Sequence, residues 1–435
     1  MAQSVVIIDG VRTPYVKSGT AFNNVSVVEL GRVCVTETLA RTGIDPAIID
    51  EVIMGNIGQP ADAANVSRVV ALRSGIPQEV PAFTVQRNCA SGMQSIASAF
   101  DRIQAGEGEV FLCGGIESMS NIPLLFSKKA SNFFAGLSMA KSFPGTFGAL
   151  LKFRPSLLKP IVAILQGLTD PVCGLNMGQT AEVLAREYRA GREEQDEFAL
   201  KSHQKTIAAQ DKGIFADEIT PVFLKDKAQS EDIGPRRNQT LEALGKLKPF
   251  FDKRHGTVTP GNSCPITDGG AAVLVMTESK AAALGLTPHV RVVNYAFAGL
   301  DPSRMGLGPA YSISKLLKKT GLKVSDIDLF EINEAFAAQI IANLKVFKDK
   351  TLQQKAKLPY ELSELNPEIL NVNGGAIALG HPVGSSGTRL VLTLMKELSR
   401  RQASMRQAST RQAKRGIASL CIGGGQGGAM LVETL

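Results

Sequence analysis

Two stretches decide the fold: residues 39–56, LARTGIDPAIIDEVIMGN, and residues 317–334, LKKTGLKVSDIDLFEINE. Each predicts the end of an amphipathic helix, a glycine that stops it, and then a short buried strand. Strands that alternate with helices of about 10–15 residues indicate sheets that are covered by helices and largely buried. The two stretches therefore predict an α/β chain built from two versions of one unit.

The correspondence between the halves continues around two reactive side chains, Cys89 and His381. Each precedes a predicted helix, then a strand that ends in glycines. These elements are a helix over 91–104 and a strand over 109–113 in the first half, and a helix over 387–398 and a strand over 416–421 in the second. Duplication would bring Cys89 and His381 to equivalent positions on facing halves, and so into one shared site.

The composition is that of an ordinary soluble protein, with 44% hydrophobic and 20% charged residues among 435. This length allows two or three domains. Six cysteines are too few for a disulfide scaffold and lack metal-site spacing, so we expect reduced thiols and no metal. The first residues run almost directly into the apolar Val5–Ile8. We therefore expect a cytoplasmic protein without a targeting peptide, or a mitochondrial matrix protein if this is a trimmed form.

Between residue 118 and about 249 the alternation loosens, which predicts a loop or lid domain inserted in the first half. Its later part contains predicted helices over 179–186 and 193–210. Its apolar run, residues 143–168, is interrupted by basic residues and prolines, so we expect no transmembrane helix. The run could be a broken amphipathic pair lying on a bilayer, a lid over an apolar substrate, or a core helix.

The side chains of Cys89, His381 and Cys421 supply the groups that carbon–carbon bond cleavage by a thiol requires. Cys89 is predicted at a helix N-terminus, where unpaired N–H groups and the helix dipole should lower its pKa and could hold an oxyanion. His381 could accept the thiol proton, and Cys421, beside a glycine run, could carry a second one. Asn333 could donate a hydrogen bond to a water or to a carbonyl oxygen.

The remaining thiols and imidazoles have simpler interpretations. A lone buried cysteine is more often a small apolar residue than a nucleophile. We therefore expect buried packing roles for Cys34, Cys113 and Cys173, and surface or structural roles for His203, His255 and His289.

The chain resembles a thiolase over nearly its whole length. The matching signatures, in order, are Asn88–Gly92, Gly114–Met119, Met177–Glu182, Asn333–Ala337, Gly374–Pro382 and Cys421–Gly425. The resemblance implies a duplicated five-layer α/β/α/β/α fold with an inserted loop domain. It places the domain boundaries at 1–118 with 250–284, at 119–249 and at 285–435.

The resemblance also implies a reaction. His381 would deprotonate Cys89, which attacks the 3-keto carbon of a 3-oxoacyl-CoA, and Cys421 would protonate the departing acetyl-CoA enolate. CoA, activated by Cys421, would then release the acyl group, with no permanently bound cofactor. Asn333, through a water, and His381 would stabilise the enolate oxygen, and the backbone N–H groups of Cys89 and Gly423 would form a second oxyanion hole.

Four further residues are expected to bind the substrate or CoA: Met177, Arg236, Ser263 and Cys264. Arg236 resembles a contact to the CoA nucleotide. Cys264 departs from the family, which often has serine or threonine at this position of the expected thioester or pantetheine contact.

The net charge of +8 comes from two acid-free windows, residues 118–169 and 398–432, which carry +6 each, so the rest of the chain carries −4. Neither window has a nucleic-acid-binding motif, and we expect no nucleic-acid partner. A membrane surface, CoA phosphates or an acidic partner are better candidates. The Arg-Gln-Ala repeat at 401–413 is interpreted as a solvated loop or a docking patch.

Residues 143–168 and about 345–366 resemble expansions in thiolase subunits of fatty-acid oxidation complexes, which favours medium or long acyl chains. The Asn333-Glu334 pair instead resembles ordinary thiolases. Three alternatives stay open: a short-chain acetoacetyl-CoA thiolase, a condensing synthase, and a scaffold subunit that binds a hydratase/dehydrogenase partner and a membrane. A homodimer or homotetramer is expected.

Overall fold

The computed structural model describes residues 3–408 and 414–435, so that residues 409–413 of the Arg-Gln-Ala repeat lie outside the described residues. The strands are β1 Val5–Arg12, β2 Val16–Lys17, β3 Glu51–Gly55, β4 Ala82–Val85, β5 Val110–Glu117, β6 Leu124–Leu125, β7 Ile161–Val162, β8 Val222–Phe223, β9 Ala228–Gln229, β10 Thr267–Thr277, β11 Val290–Gly299, β12 Leu329–Ile332, β13 Arg415–Ile422 and β14 Gln426–Thr434. The helices are α1 Val27–Thr42, α2 Val66–Arg73, α3 Ser91–Ala105, α4 Lys128–Met139, α5 Phe143–Leu150, α6 Ala163–Gly167, α7 Met177–Glu187, α8 Arg192–Asp211, α9 Leu241–Gly245, α10 Glu278–Ala283, α11 Gly308–Thr320, α12 Ala337–Lys348, α13 Lys350–Lys355, α14 Ala376–Leu379 and α15 Val383–Ala408.

The repeated helix–glycine–strand pattern is confirmed in both halves. α1 ends at Gly43 and α11 ends at Gly321, and both glycines adopt the left-handed conformation, with φ of 65° and 71°. Glycine adopts this conformation without a steric penalty, which is why it ends helices so often. Each helix is followed by a fully buried strand, β3 or β12.

One large sheet runs through both halves in the order β12-β13-β14-β11-β1-β10-β5-β3-β4, and β2 pairs with β10. In the first half β3 is parallel to both β4 and β5, and β5 pairs antiparallel with β10. In the second half β12 is parallel to β13, and β13 pairs antiparallel with β14. The halves join where β1 pairs with β11, through the register Val5–Ile7 against Val290–Val292.

Three apolar cores show the five layers. The central core contains side chains of α3 and α15 together with strand residues of both halves, so these two helices lie between the half-sheets. A second core packs α1 and α2 on the outer face of the first half-sheet, and a third packs α11 and α12 on the second. The predicted α/β/α/β/α class is therefore confirmed.

The helix predicted over 387–398 begins earlier, at Val383. The sequence Val383-Gly384-Ser385-Ser386-Gly387 has little helix propensity, but its glycines are required by packing. A Cβ on Gly384 would clash with the carbonyl oxygen of Ile116, and one on Gly387 would clash with the backbone of Met93. Close approach to β5 and α3 thus overrides propensity at the start of α15.

A buried ion cluster fixes β1 to the chain that follows α8. Arg12 is fully buried and pairs with Glu218 at 2.7 Å and with Asp232 at 2.7 Å. Both carboxylates are also buried, so each charge depends on the others for compensation.

The described residues form two compact units. One comprises the residues up to Asn121 and those from Asp170 onward; the other is Ile122–Thr169. The predicted boundaries at 118, 249 and 284 stay a prediction. No helix in the described part of the chain is both long and apolar enough to cross a bilayer.

The unit Ile122–Thr169 contains α4, α5, α6 and the β6–β7 pair. All 48 of its residues are described, and Ala130 alone among them is buried. The interpretation of the 143–168 run as a core helix is therefore wrong, because α5 and α6 bury none of their residues.

Candidate active site

Cys89 lies in a tight turn directly before α3. Asn88 has a φ of 43°, a conformation that a non-glycine residue rarely adopts and that is common where function demands a particular backbone path. Cys89 is partly exposed, and the N–H groups of Gly423 and of Cys89 itself lie close enough to its sulfur to favour the thiolate. Burial nevertheless raises its pKa above the ordinary value, and these N–H groups reduce the rise only in part. The expected lowering of the pKa is therefore wrong, and Cys89 needs a base to become a thiolate.

His381 is buried at the other helix start of the central layer, two residues before α15. Its Nδ1 lies 2.6 Å from the Ser386 hydroxyl, which donates its single hydrogen to the carbonyl oxygen of Pro382 at 2.9 Å. We therefore assign the imidazole proton to Nδ1, which leaves the lone pair on Nε2. Nε2 has no hydrogen-bond partner among the described residues. Burial, and then the charge of Arg389, lower the pKa of His381 to about 4, so the ring is a neutral base at physiological pH.

The packing of α3 against α15 brings these two residues to one end of the central layer. Gly92, three residues after Cys89, packs against Thr388 and against the carbonyl oxygen of Gly384, where a Cβ would lie 2.9 Å from that oxygen. Gly384 is three residues after His381. Cys89 and His381 therefore each lie two residues before the start of one of the two packed central helices, α3 and α15.

Asn333 follows β12 and is completely buried. Its backbone N–H donates to the carbonyl oxygen of Ser419 in β13, two residues before Cys421, which fixes the two strand ends side by side. Neither atom of its side-chain amide is hydrogen-bonded within the described part of the chain. Since an unsatisfied buried amide is costly, this side chain is suited to bind a water or a substrate oxygen.

Cys421 is the penultimate residue of β13 and is buried, and the turn after the strand contains Gly423. The pKa of the Cys421 thiol is raised well above its ordinary value by burial and then by the neighbouring Cys89 and Cys264. Cys89, Cys264 and Cys421 therefore lie near one another. The Asn88 side-chain amide donates to the carbonyl oxygen of Gly423 at 2.8 Å, which ties this turn to the turn of the nucleophile.

Met177, Cys264 and Cys421 contact one apolar cluster around Phe336. Met177 opens α7, and its sulfur would lie 3.3 Å from a Cβ on Gly423. Burial raises the pKa of Cys264 to about 12, so this side chain stays a neutral thiol. These contacts make Met177 and Cys264 part of the wall of the site.

Ser263 and Arg236 are placed differently. Ser263 is buried, and its hydroxyl donates to the carbonyl oxygen of Thr259 at 2.7 Å. Arg236 is exposed, while its backbone N–H donates to Nδ1 of the buried His203 at 3.2 Å. The expected contacts of Ser263 and Arg236 with CoA stay predictions. Of the two roles expected for His203, at the surface or in the structure, the structural role is the one observed.

Two carboxylates that position the site had no role in the sequence analysis, although both lie in its signatures. Glu334 is buried and accepts hydrogen bonds from Ser202, Asn371 and the backbone of Ile377, which fixes the segment that leads to His381.

Glu117, at the end of β5, accepts from the backbone N–H of Gly384 at 2.9 Å and from Asn56, Ile57 and Gly58. Burial raises its pKa to about 7 against these donors. The sequence contained one indication of this role: Glu117 ends an apolar strand, and a carboxylate buried there requires several hydrogen-bond donors.

Comparisons with known proteins agree with this geometry. The model of the thiolase N-terminal domain matches residues 5–279, and that of the thiolase C-terminal domain matches residues 286–434. A 3-ketoacyl-CoA thiolase of Pectobacterium carotovorum is 37% identical over 433 residues, covering 99% of this chain and 96% of that protein. A probable acetyl-CoA acyltransferase of Staphylococcus aureus is 39% identical over 435 residues, covering 99% and 98%.

Two crystal structures are similar over the whole fold. The Bacillus anthracis acetyl-CoA acetyltransferase matches with a TM-score of 0.85 and 38% identity, covering 100% of this chain and 99% of that one. The human mitochondrial 3-ketoacyl-CoA thiolase in complex with CoA matches with a TM-score of 0.83 and 36% identity, again covering 100% and 99%. The fold and these relatives define an enzyme that transfers acyl groups. The chain belongs to the thiolase family.

Proposed function

We propose that this enzyme is a degradative thiolase that cleaves 3-oxoacyl-CoA with CoA to acyl-CoA and acetyl-CoA. One observation carries the proposal: Cys89 and His381 precede the starts of α3 and α15, which pack against each other. The N–H groups of Cys89 and Gly423 lie near the Cys89 sulfur, and Nε2 of His381 has no hydrogen-bond partner among the described residues. The human structure named 3-ketoacyl-CoA thiolase holds CoA, which supports CoA as the co-substrate here.

In the first half-reaction, Nε2 of His381 takes the proton of Cys89, and the thiolate attacks the 3-keto carbon. The N–H groups of Cys89 and Gly423 stabilise the oxyanion that forms. The C2–C3 bond then breaks, and its electron pair forms the enolate of acetyl-CoA. Cys421, whose raised pKa keeps it protonated, gives its proton to C2. Acetyl-CoA leaves, and Cys89 carries the acyl group.

In the second half-reaction, the Cys421 thiolate takes the proton of an incoming CoA thiol. The CoA thiolate attacks the acyl-Cys89 carbonyl, acyl-CoA leaves, and the imidazolium of His381 returns its proton to Cys89. The buried amide of Asn333 supplies the hydrogen bond that holds the enolate oxygen, directly or through a water. Each group thus returns to its starting protonation state.

Medium or long acyl chains are the proposed substrates, because relatives named 3-ketoacyl-CoA thiolase match the chain almost end to end. A short-chain acetyl-CoA acetyltransferase is the second candidate. It is supported by the similar Bacillus anthracis structure of that name.

The test is cleavage of 3-oxoacyl-CoA substrates from C4 to C16, followed by loss of enolate absorbance. We expect activity that peaks at medium or long chains and is abolished in Cys89→Ala. Cys173→Ala, which removes another partly exposed thiol, is the matched control and should retain activity. Activity confined to C4 would favour the short-chain candidate, and no activity at any length would leave the scaffold role.

A second measurement tests the nucleophile directly. Without CoA, the enzyme should release one equivalent of acetyl-CoA from 3-oxohexadecanoyl-CoA and retain a tetradecanoyl group on Cys89, visible by peptide mass spectrometry. An acyl group on Cys264 or Cys421 instead would contradict the assignment of Cys89.

The remaining expectations are also proposals: a homodimer or homotetramer, a hydratase/dehydrogenase partner subunit, and a cytoplasmic or mitochondrial matrix location. Gel filtration with light scattering tests the first, and co-purification with the partner tests the second.

A further inference from the structure

The unit Ile122–Thr169 exposes an unusual number of large apolar side chains for a protein surface. Its exposed large apolar residues are Leu124, Leu125, Phe126, Phe134, Met139, Phe143, Phe147, Leu150, Leu151, Phe153, Leu158, Val162 and Leu165. Phe143 is 85% exposed and Met139 is 77% exposed. Such a concentration of exposed large apolar side chains within 48 residues favours an interaction site.

The local structure explains why these side chains face outward. α4 and α5 do not close on a packed interior, since Gly136, Gly145 and Gly148 line a cleft of about 460 Å³ between them. Phe133 and Lys152 also line this cleft, and Phe133 packs against Phe134 and Phe153, yet Ala130 remains the one buried residue of the unit.

The same unit is basic without any acidic residue. Its six Lys and Arg residues, Lys128, Lys129, Lys141, Lys152, Arg154 and Lys159, are all exposed. The last four each lie within two residues of an exposed large apolar side chain. Two copies of this surface would repel each other, which argues against a second copy of the chain as its cover.

We propose that residues 122–169 bind the surface of an anionic lipid bilayer. Phe143, Phe147 and Leu151 enter the boundary between headgroups and acyl chains, while Lys152 and Arg154 contact lipid phosphates. Interleaved aromatic or aliphatic and basic residues are what an interfacial segment needs, because apolar insertion and attraction to anionic lipid act at the same depth. The unit lies on the membrane and does not cross it.

The experiment is flotation of the full chain with vesicles of phosphatidylcholine containing increasing phosphatidylglycerol, compared with phosphatidylcholine alone. We expect binding that rises with phosphatidylglycerol and weakens with salt. Lys152→Glu/Arg154→Glu should weaken binding by more than about 25-fold, since each basic residue near an anionic surface contributes roughly fivefold. Phe143→Ser/Phe147→Ser should weaken it by about tenfold or more.

Matched controls come from the other unit. Phe223 is 82% exposed, so Phe223→Ser removes an aromatic side chain of equal exposure, and Lys225→Glu/Lys227→Glu reverses two exposed charges. Both controls should bind vesicles like the wild type, and all variants should keep the wild-type melting temperature and gel-filtration volume.

Three outcomes would overturn the proposal. They are equal binding to neutral vesicles, equal loss in the control variants, and no binding of the wild-type chain to any vesicle. In the last case, a shift of Phe143→Ser/Phe147→Ser to a smaller species in gel filtration would identify a second copy as the cover. Capture of a hydratase/dehydrogenase subunit by the wild type but not by this variant would identify that partner.

Discussion

Removal of the Ser386 hydroxyl tests the assignment of His381 as the base. In Ser386→Ala, Nδ1 of His381 loses its only hydrogen-bond partner in the described structure, 2.6 Å away. The ring can then place its proton on Nε2 instead, and in that tautomer it cannot accept the proton of Cys89. We expect kcat to fall while KM stays close to the wild-type value, since Ser386 is buried behind the imidazole.

The magnitude follows from the buried N–H. An unpaired buried donor costs about 1–3 kcal/mol, and about 1.4 kcal/mol corresponds to a tenfold change in a population. The ratio of the Nδ1-protonated to the Nε2-protonated tautomer should therefore fall by about 5- to 150-fold, and kcat should fall by up to that factor. Ser385→Ala is the matched control, because Ser385 is the adjacent buried serine and bonds to Tyr15 at 2.7 Å instead.

The assay is kcat and KM from pH 5 to 8. Because burial lowers the pKa of His381 to about 4, the ring stays neutral over this range, and the loss in Ser386→Ala should be the same at every pH. The chain has four histidines, so nitrogen-15 spectra can resolve His381 and should show the proton on Nδ1 in the wild type. A variant with wild-type kcat, or a wild-type spectrum with the proton on Nε2, would refute the reasoning.

Three further predictions concern other residues. In the folded protein the pKa of Glu117 is raised to about 7, so its contribution to stability is complete below about pH 4.5 and is lost as the pH rises through 7. Urea unfolding between pH 5 and 8 should show the wild type losing up to about 3 kcal/mol of stability relative to Glu117→Gln. Parallel pH curves for the two proteins would contradict this. Arg12→Met should lower the free energy of unfolding by about 3–5 kcal/mol, because two buried carboxylates lose their cation. Arg237→Met, which removes an exposed ion pair, should change this free energy little. Equal effects of the two substitutions would refute the role of burial. Cys264→Ser should lower KM for CoA severalfold at unchanged kcat, because a hydroxyl is a stronger hydrogen-bond partner than a thiol. Steady-state kinetics with varied CoA measure this KM, and an unchanged value would remove Cys264 from the CoA contacts.

The elements that carry the site were predictable because their signals are local. A helix that ends at Gly43 or Gly321 and leads into an apolar strand needs no knowledge of the rest of the chain. The joint location of Cys89 and His381 followed from the duplication, since equivalent positions in two copies of one unit meet when the copies face each other.

Other features depend on contacts between distant segments and could not be predicted. Burial of Cys89 outweighs the effect of its helix-terminal position and raises its pKa, contrary to the expected lowering. Glu334 and Ser386 gain their roles from partners that only the folded chain brings together. Cys173 was expected to be buried like Cys34 and Cys113, but it is partly exposed, because a single cysteine carries no periodic pattern that would indicate its environment.

The short pairing of β1 with β11 has a consequence for how the molecule could be divided. Each half-sheet has its own outer core, and the register Val5–Ile7 against Val290–Val292 is where their main chains meet. A break between α10 and β11 would yield two fragments, one with Cys89 and the other with Asn333, His381 and Cys421. Neither fragment alone would hold a complete reaction centre, so regained turnover on mixing would report the association of the halves directly.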